Sequence, residues 1–236
     1  MYILCKKSGN PYSFNVVRQC VMDFGKGYNR TVSMVIENSN AGLDKKVFRK
    51  NVGMLMPNFL MGRAGPFKGL KYSNGRVVDP KNIVSKCWKN IGEQSVQLRA
   101  FIDGRNQGNR MRALVSMSDS EQRKVAAELW SIFKTLLPVC MGKHSMGLVG
   151  ASKVLFSVLP EVALPIDNAE WRHVFKTVDF GDVILLMAEE IVRWEKATGM
   201  HLDECDPNGT LTLPAVYNVM AMKARPKPKP SKVWCV

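Results

Sequence analysis

Asp167 is the residue whose setting most suggests chemistry, because the turn Gly147-Leu148-Val149-Gly150 and a short apolar run over 151–159 precede it. A Gly-x-x-Gly turn that opens a helix can lay backbone N–H groups against a phosphate, with the helix dipole adding favourable charge. A carboxylate at the start of the next helix then faces whatever that phosphate carries. Lys143 before the turn and Ser152 and Lys153 after it are further candidates for contact with the anion, and His144 and Ser145 extend the same surface. Ordinary readings stand beside these. Asp167 suits a plain helix N-cap, the two glycines an interhelical turn, and Lys153 a solvated helix lysine.

The surrounding elements read as helices. Asp79-Pro80 predicts a helix start, with Ile83, Cys87, Trp88, Ile91, Leu98 and Ile102 on one face up to Gly104. Ser118 and Glu121 form a capping-box pattern ahead of the apolar stripe Val125, Ala126, Leu129, Trp130, Phe133, Leu136 and Leu137, and Pro138 is expected to stop that helix. A helix over 151–159 should end at Pro160, and an extended link over 162–166 delivers Asp167 to the helix 168–176. Asp179 caps a further helix running to Thr198 before Gly199, and a last one falls within 213–223. Strand signals are thin. Thr31–Ile36 is β-branched but compatible with helix, and the glycine-rich basic stretch 61–76 reads as a loop. The fold class is therefore all-α. One unit over 1–222 is expected, with room for two lobes meeting near 140–175, followed by a basic, proline-rich flexible tail over 223–236.

Charge narrows the partner. The chain has 236 residues and a formal net charge of +14. Between Lys45 and Arg112 stand fifteen basic residues against Asp79, Glu93 and Asp103, whereas from Leu155 to Thr210 eleven acids face four basic residues. Such asymmetry predicts one basic surface, suited to a nucleic acid or simply well solvated. The six cysteines include no C-x-x-C pair, so neither a zinc ribbon nor an iron–sulfur cluster is signalled, and His173 and His201 lack a partner at metal-ligand spacing. With no long apolar segment and no leader-like start, a cytoplasmic protein without a membrane partner is expected.

The stretch Gly147 to Phe175 resembles the helix-hairpin-helix DNA glycosylase superfamily, and its oxoguanine-processing branch in particular. The resemblance rests on the glycine hairpin 147–150, the helix after it, the link Leu164-Pro165-Ile166-Asp167, and Asn168-Ala169-Glu170-Trp171 running into the next helix. The same residues look like a set of uncharacterised prokaryotic proteins with a Ser-Lys helix and a Pro-Ile-Asp link. The resemblance implies a monomeric, cofactor-free enzyme that excises a damaged or modified base from double-stranded DNA, in repair or in defence against phage DNA. Asp167 would stabilise the oxocarbenium character that develops at C1′. Lys153 would be the nucleophile of a lyase step, or only a phosphate contact. It lies one residue beyond the place of the family's lysine, which Ser152 occupies, and that offset turns its side chain by roughly 100°. Base flipping also needs a wedge and a pocket. Phe67, in the basic loop beside Lys68, is a candidate to insert or stack, and Trp171 is a candidate pocket wall. A non-catalytic nucleic-acid-binding protein using the hairpin and the basic surface is the alternative.

Overall fold

Capped helical runs dominate the chain, and the computed structural model, which describes residues 3–24, 26–40, 42–105, 110–143 and 146–226, is mostly helical. Helix α1 spans Phe14–Asp23 and α2 spans Lys26–Ser39, so the β-branched run 31–36 is helical. Helix α3, Lys45–Asn58, starts where the Asp44 carboxylate accepts the Val47 N–H at 2.7 Å.

The expectation of a loop over 61–76 needs correction. A 3₁₀ turn, Met61–Arg63, leads to a small antiparallel hairpin of β1 (Lys71–Ser73) and β2 (Arg76–Val78). Asn74 and Gly75 both take positive φ between the strands, the pairing that a two-residue hairpin turn requires.

Helix α4, Ile83–Arg105, begins three residues after Pro80, because Asn82 takes a left-handed conformation. Asp79 still caps it, accepting the N–H groups of Ile83 and Val84 at 2.9 and 2.8 Å. After the short α5 (Ala113–Ser116), α6 spans Asp119–Cys140 with the Ser118–Glu121 capping box in place. Pro138 lies inside α6 rather than beyond its end, since a proline in the last turn forfeits a single N–H.

Helix α7, Leu148–Val158, starts before Ala151, so only Gly147 does the work of the turn. Its φ is +83°, and a Cβ there would stand 2.7 Å from the Leu137 carbonyl oxygen. A single α-turn, α8 (Asn168–Glu170), continues as a π-turn over Trp171–Phe175 that Lys176 closes in left-handed conformation, where one regular helix was expected. Helix α9 spans Phe180–Thr198 between Asp179 and Gly199, and α10 spans Leu213–Lys223 behind Thr212.

Helix α6 packs on α4, α7 and α9, and α3 packs on α2, α4 and α7. Their apolar faces merge into one connected core. Among the described residues no helix is long and apolar enough to cross a membrane. The end of the chain departs from the expected free arm. Lys223 belongs to α10, and Arg225 is half-buried against Asp167, while residues 227–236 lie outside the described part.

A buried ion pair holds the segment between α7 and α8. The Arg99 guanidinium, on α4, reaches Glu161 at 3.1 Å, the Ser39 carbonyl at 3.1 Å and Asp103 at 3.0 Å. Burial pushes the Glu161 carboxyl up to about 7 from 4.5, against the opposing pull of Arg99. The folded chain thus binds this proton more tightly than the unfolded one. The contribution of Glu161 to stability is full below about pH 4.5 and is lost as pH rises through about 7. Chemical denaturation of Glu161→Gln should show a flatter decline in stability between about pH 5 and pH 8 than the parent.

Candidate functional site

Asp167 reaches its position through Ser152. The Ser152 hydroxyl is buried in α7, accepts the Ile166 N–H at 3.1 Å and sits 3.2 Å from the Ile166 carbonyl and 3.1 Å from that of Val149. This staples the extended link to α7 one residue before Asp167. Glu170 accepts the Asp167 N–H at 3.1 Å, which starts α8. Ser152 is therefore a positioning residue inside the protein, not the surface contact for DNA that its place in the sequence suggested.

Lys153 lies one residue further along α7 with only 4% of its surface exposed. Its ammonium donates to Asp167 Oδ1 in a short ion pair and sits 4.7 Å from the centroid of the Phe59 ring. The rotation inferred from its offset does not separate it from Asp167. The link carries Asp167 back along α7 to meet it.

The other oxygen of Asp167 pairs with Arg225 at 2.8 Å, and the same guanidinium nitrogen reaches Glu170, whose side chain is almost fully buried. Burial raises the Asp167 pKa, but the charges and hydrogen bonds of Lys153 and then Arg225 outweigh it and leave the carboxyl below its usual range. Burial dominates at Glu170 and holds its carboxyl above the ordinary value despite Arg225. Two carboxylates within one helical turn are thus driven apart in acidity, Asp167 below its ordinary value and Glu170 above its own.

The remaining candidates divide between core and surface. Gly150 is buried in the first turn of α7, where a Cβ would stand 3.0 Å from Cys140 Cβ and 3.1 Å from the Phe67 ring, so it faces the core and not a phosphate. Phe67 is 1% exposed and cannot insert into a base stack as placed. Trp171 is 4% exposed, with Phe133 at 5.9 Å and Phe180 at 6.4 Å, which makes it core rather than pocket wall. Lys68 and Lys143 are exposed and come together. With Lys81, Lys86 and Lys89 they line an open groove of about 800 Å³ that no acidic side chain lines. His144 and Ser145 lie outside the described residues.

Sequence reasoning missed Arg225, Glu170, Phe59 and three of the groove lysines. The lysines were detectable as part of the charge excess over 45–112. Nothing in the sequence signalled Arg225, which is 58 residues from Asp167. Arg225 also lines a second groove, of about 920 Å³, with Lys6, Lys7 and Lys223.

Glu195, His201 and Asp203 present potential ligand atoms within 4.8 Å of one another, contrary to the expectation that His201 stands apart from other ligand types. The Arg112 guanidinium pairs with both acids, at 2.7 Å for Glu195, and supplies the positive charge there. No protein-family model, curated protein or solved structure matches this chain.

Removing the Arg225 charge while keeping bulk, as in Arg225→Met, should move both carboxyls up. In a carbon-13 NMR titration Asp167 is expected to titrate closer to its ordinary value and Glu170 further above its own. The stability that ionised Asp167 contributes is present above its ordinary pKa and lost as pH falls through the lower folded value, so the variant should lose it at a higher pH.

Proposed function

We propose that this chain is a DNA N-glycosylase of the helix-hairpin-helix type, acting on a damaged or modified base in double-stranded DNA. The observation that carries the reading is the contact between Lys153 Nζ and Asp167 Oδ1, a lysine one residue beyond the family's position and the aspartate that the resemblance singles out, 14 apart in sequence. The glycine turn at 147, the helix after it and the aspartate opening the next helix follow the order of that superfamily. The five-lysine groove supports a polyanionic partner, because each phosphate it neutralises releases a condensed counterion.

The chemistry fits the pair. As the bond between C1′ and the base nitrogen breaks, the base leaves with the electron pair and takes up the proton that the nucleophile releases through Asp167, and positive charge develops at C1′ and the ring oxygen. The Asp167 carboxylate, kept ionised by two cations, stabilises that charge. Attack on C1′ by the Lys153 nitrogen requires the amine to shed its extra proton, and Asp167 Oδ1 is the acceptor already in contact. The new C–N bond then gives a covalent enzyme–DNA intermediate, and opening of the sugar ring converts it to a Schiff base. With water as nucleophile in place of Lys153, the same carboxylate orients the water and the product is an abasic site.

Mass spectrometry of bases released from natural and modified DNAs identifies the substrate. Asp167→Asn should lower base release by about 100-fold or more while leaving DNA affinity nearly intact. Absence of any released base alongside salt-dependent binding would favour a non-catalytic binding protein that uses the lysine groove. Borohydride should trap wild-type enzyme on its substrate, and the adduct should vanish in Lys153→Ala. Persistence of the adduct in that variant would assign the nucleophile elsewhere.

A further inference from the structure

The geometry points to a covalent, peroxide-dependent link between Cys20 and Lys223, an N–O–S bridge that fastens the end of α10 to α1. Lys223 Nζ stands 2.9 Å from Cys20 Sγ, across 203 residues of sequence. Two other side-chain N–H groups meet sulfur at 3.7 Å, Asn38 to Met54, and at 3.6 Å, Asn218 to Met222. Those are hydrogen-bond distances for an atom as large as sulfur. The Cys20 contact is markedly closer, and one oxygen atom between nitrogen and sulfur spans it.

Both partners are held in place and both can be reached. Cys20 lies within α1, Lys223 is the last residue of α10, and the two helices pack together. The Lys223 ammonium also sits 5.7 Å from the centroid of the Tyr12 ring, which keeps the side chain on this face. Lys223 is exposed and Cys20 is half-buried, so an oxidant as small as hydrogen peroxide has access to the pair.

The chemistry balances with two molecules of peroxide. The Cys20 sulfur attacks the first, exchanging its S–H bond for S–O while the O–O bond breaks and one water leaves, and a sulfenic acid results. The Lys223 amine, having lost its extra proton to solvent, is then joined to that oxygen by an N–O bond. One N–H bond and the O–H bond are broken, and the second peroxide takes up their electrons and protons as two waters. Sulfur and nitrogen are each oxidised by two electrons, and each peroxide is reduced by two. Excess dithiothreitol returns the four electrons and restores thiol and amine with release of water.

The bridge acts beside the candidate site. Lys223 lines the groove that holds Lys6, Lys7 and Arg225, and it stands two residues before the arginine that pairs with Asp167. Oxidation therefore takes one positive charge from this groove and pins the helix end that carries Arg225.

The full chain treated with hydrogen peroxide should gain about 14 Da, one oxygen in and two hydrogens out, and tandem mass spectrometry should place the link between Cys20 and Lys223. Excess dithiothreitol should restore the starting mass. Because the bridge closes a very long loop, the oxidised protein should melt about 5 °C above the reduced one. Cys20→Ser and the surface variant Lys223→Arg should each abolish the mass gain and the melting shift, whereas Cys5→Ser should keep both. Gains of about 16 or 32 Da on Cys20 with Lys223 unlinked, a loss of about 2 Da from a disulfide, or a cross-link that persists in Lys223→Arg would overturn the bridge. No DNA enters the measurement, so its outcome is separate from that of the glycosylase reading.

Discussion

A lysine ammonium buried as deeply as Lys153 cannot persist without a counter-charge, and the structure around α7 is arranged to supply one. Asp167 is that counter-charge, and it can reach Lys153 only because the segment after α7 doubles back along the helix. Ser152 holds the returning strand by its backbone, Arg99 holds its far end through Glu161, and Glu170 fixes the turn in which Asp167 sits.

The same arrangement gives Asp167 more to do than cap a helix. Asp167 is the N-cap of α8 and forms a capping box with Glu170, and beyond that role its oxygens pair with Lys153 and Arg225. One cation comes from within the helix and the other from beyond the last helix, so the two ends of a long stretch of chain converge on one carboxylate. Arg225 also lines the groove that holds Lys6, Lys7 and Lys223, so the centre borders a basic surface. That basic surface suits the phosphate backbone proposed as its partner.

Much of the helical framework was legible because caps are local. Ser118 with Glu121 and Asp179 with Gly199 each act within one turn of their helix, so their meaning survives without tertiary knowledge. Misreadings arose where a local signal had two outcomes. Pro138 slowed a helix end but did not set it, Asn82 delayed a start, and Asn74-Gly75 made a hairpin inside a stretch that looked like loop. For the site, glycine marked the turn at Gly147 correctly, but at Gly150 the same residue served close packing against Cys140 and Phe67.

By itself the sequence determined the helical class, the basic half of the chain, and the place of Asp167 at the start of a helix behind a glycine turn. These follow from periodicity, capping and charge, which act over a few residues or sum over many. Only the tertiary structure decided that the two side chains touch, that Arg225 joins them, that Phe67 and Trp171 belong to the core, and that Lys68 and Lys143 share one groove. The reason is geometric. Whether an aromatic ring or a lysine faces solvent depends on what packs across from it, and here those partners lie on helices far apart in the chain.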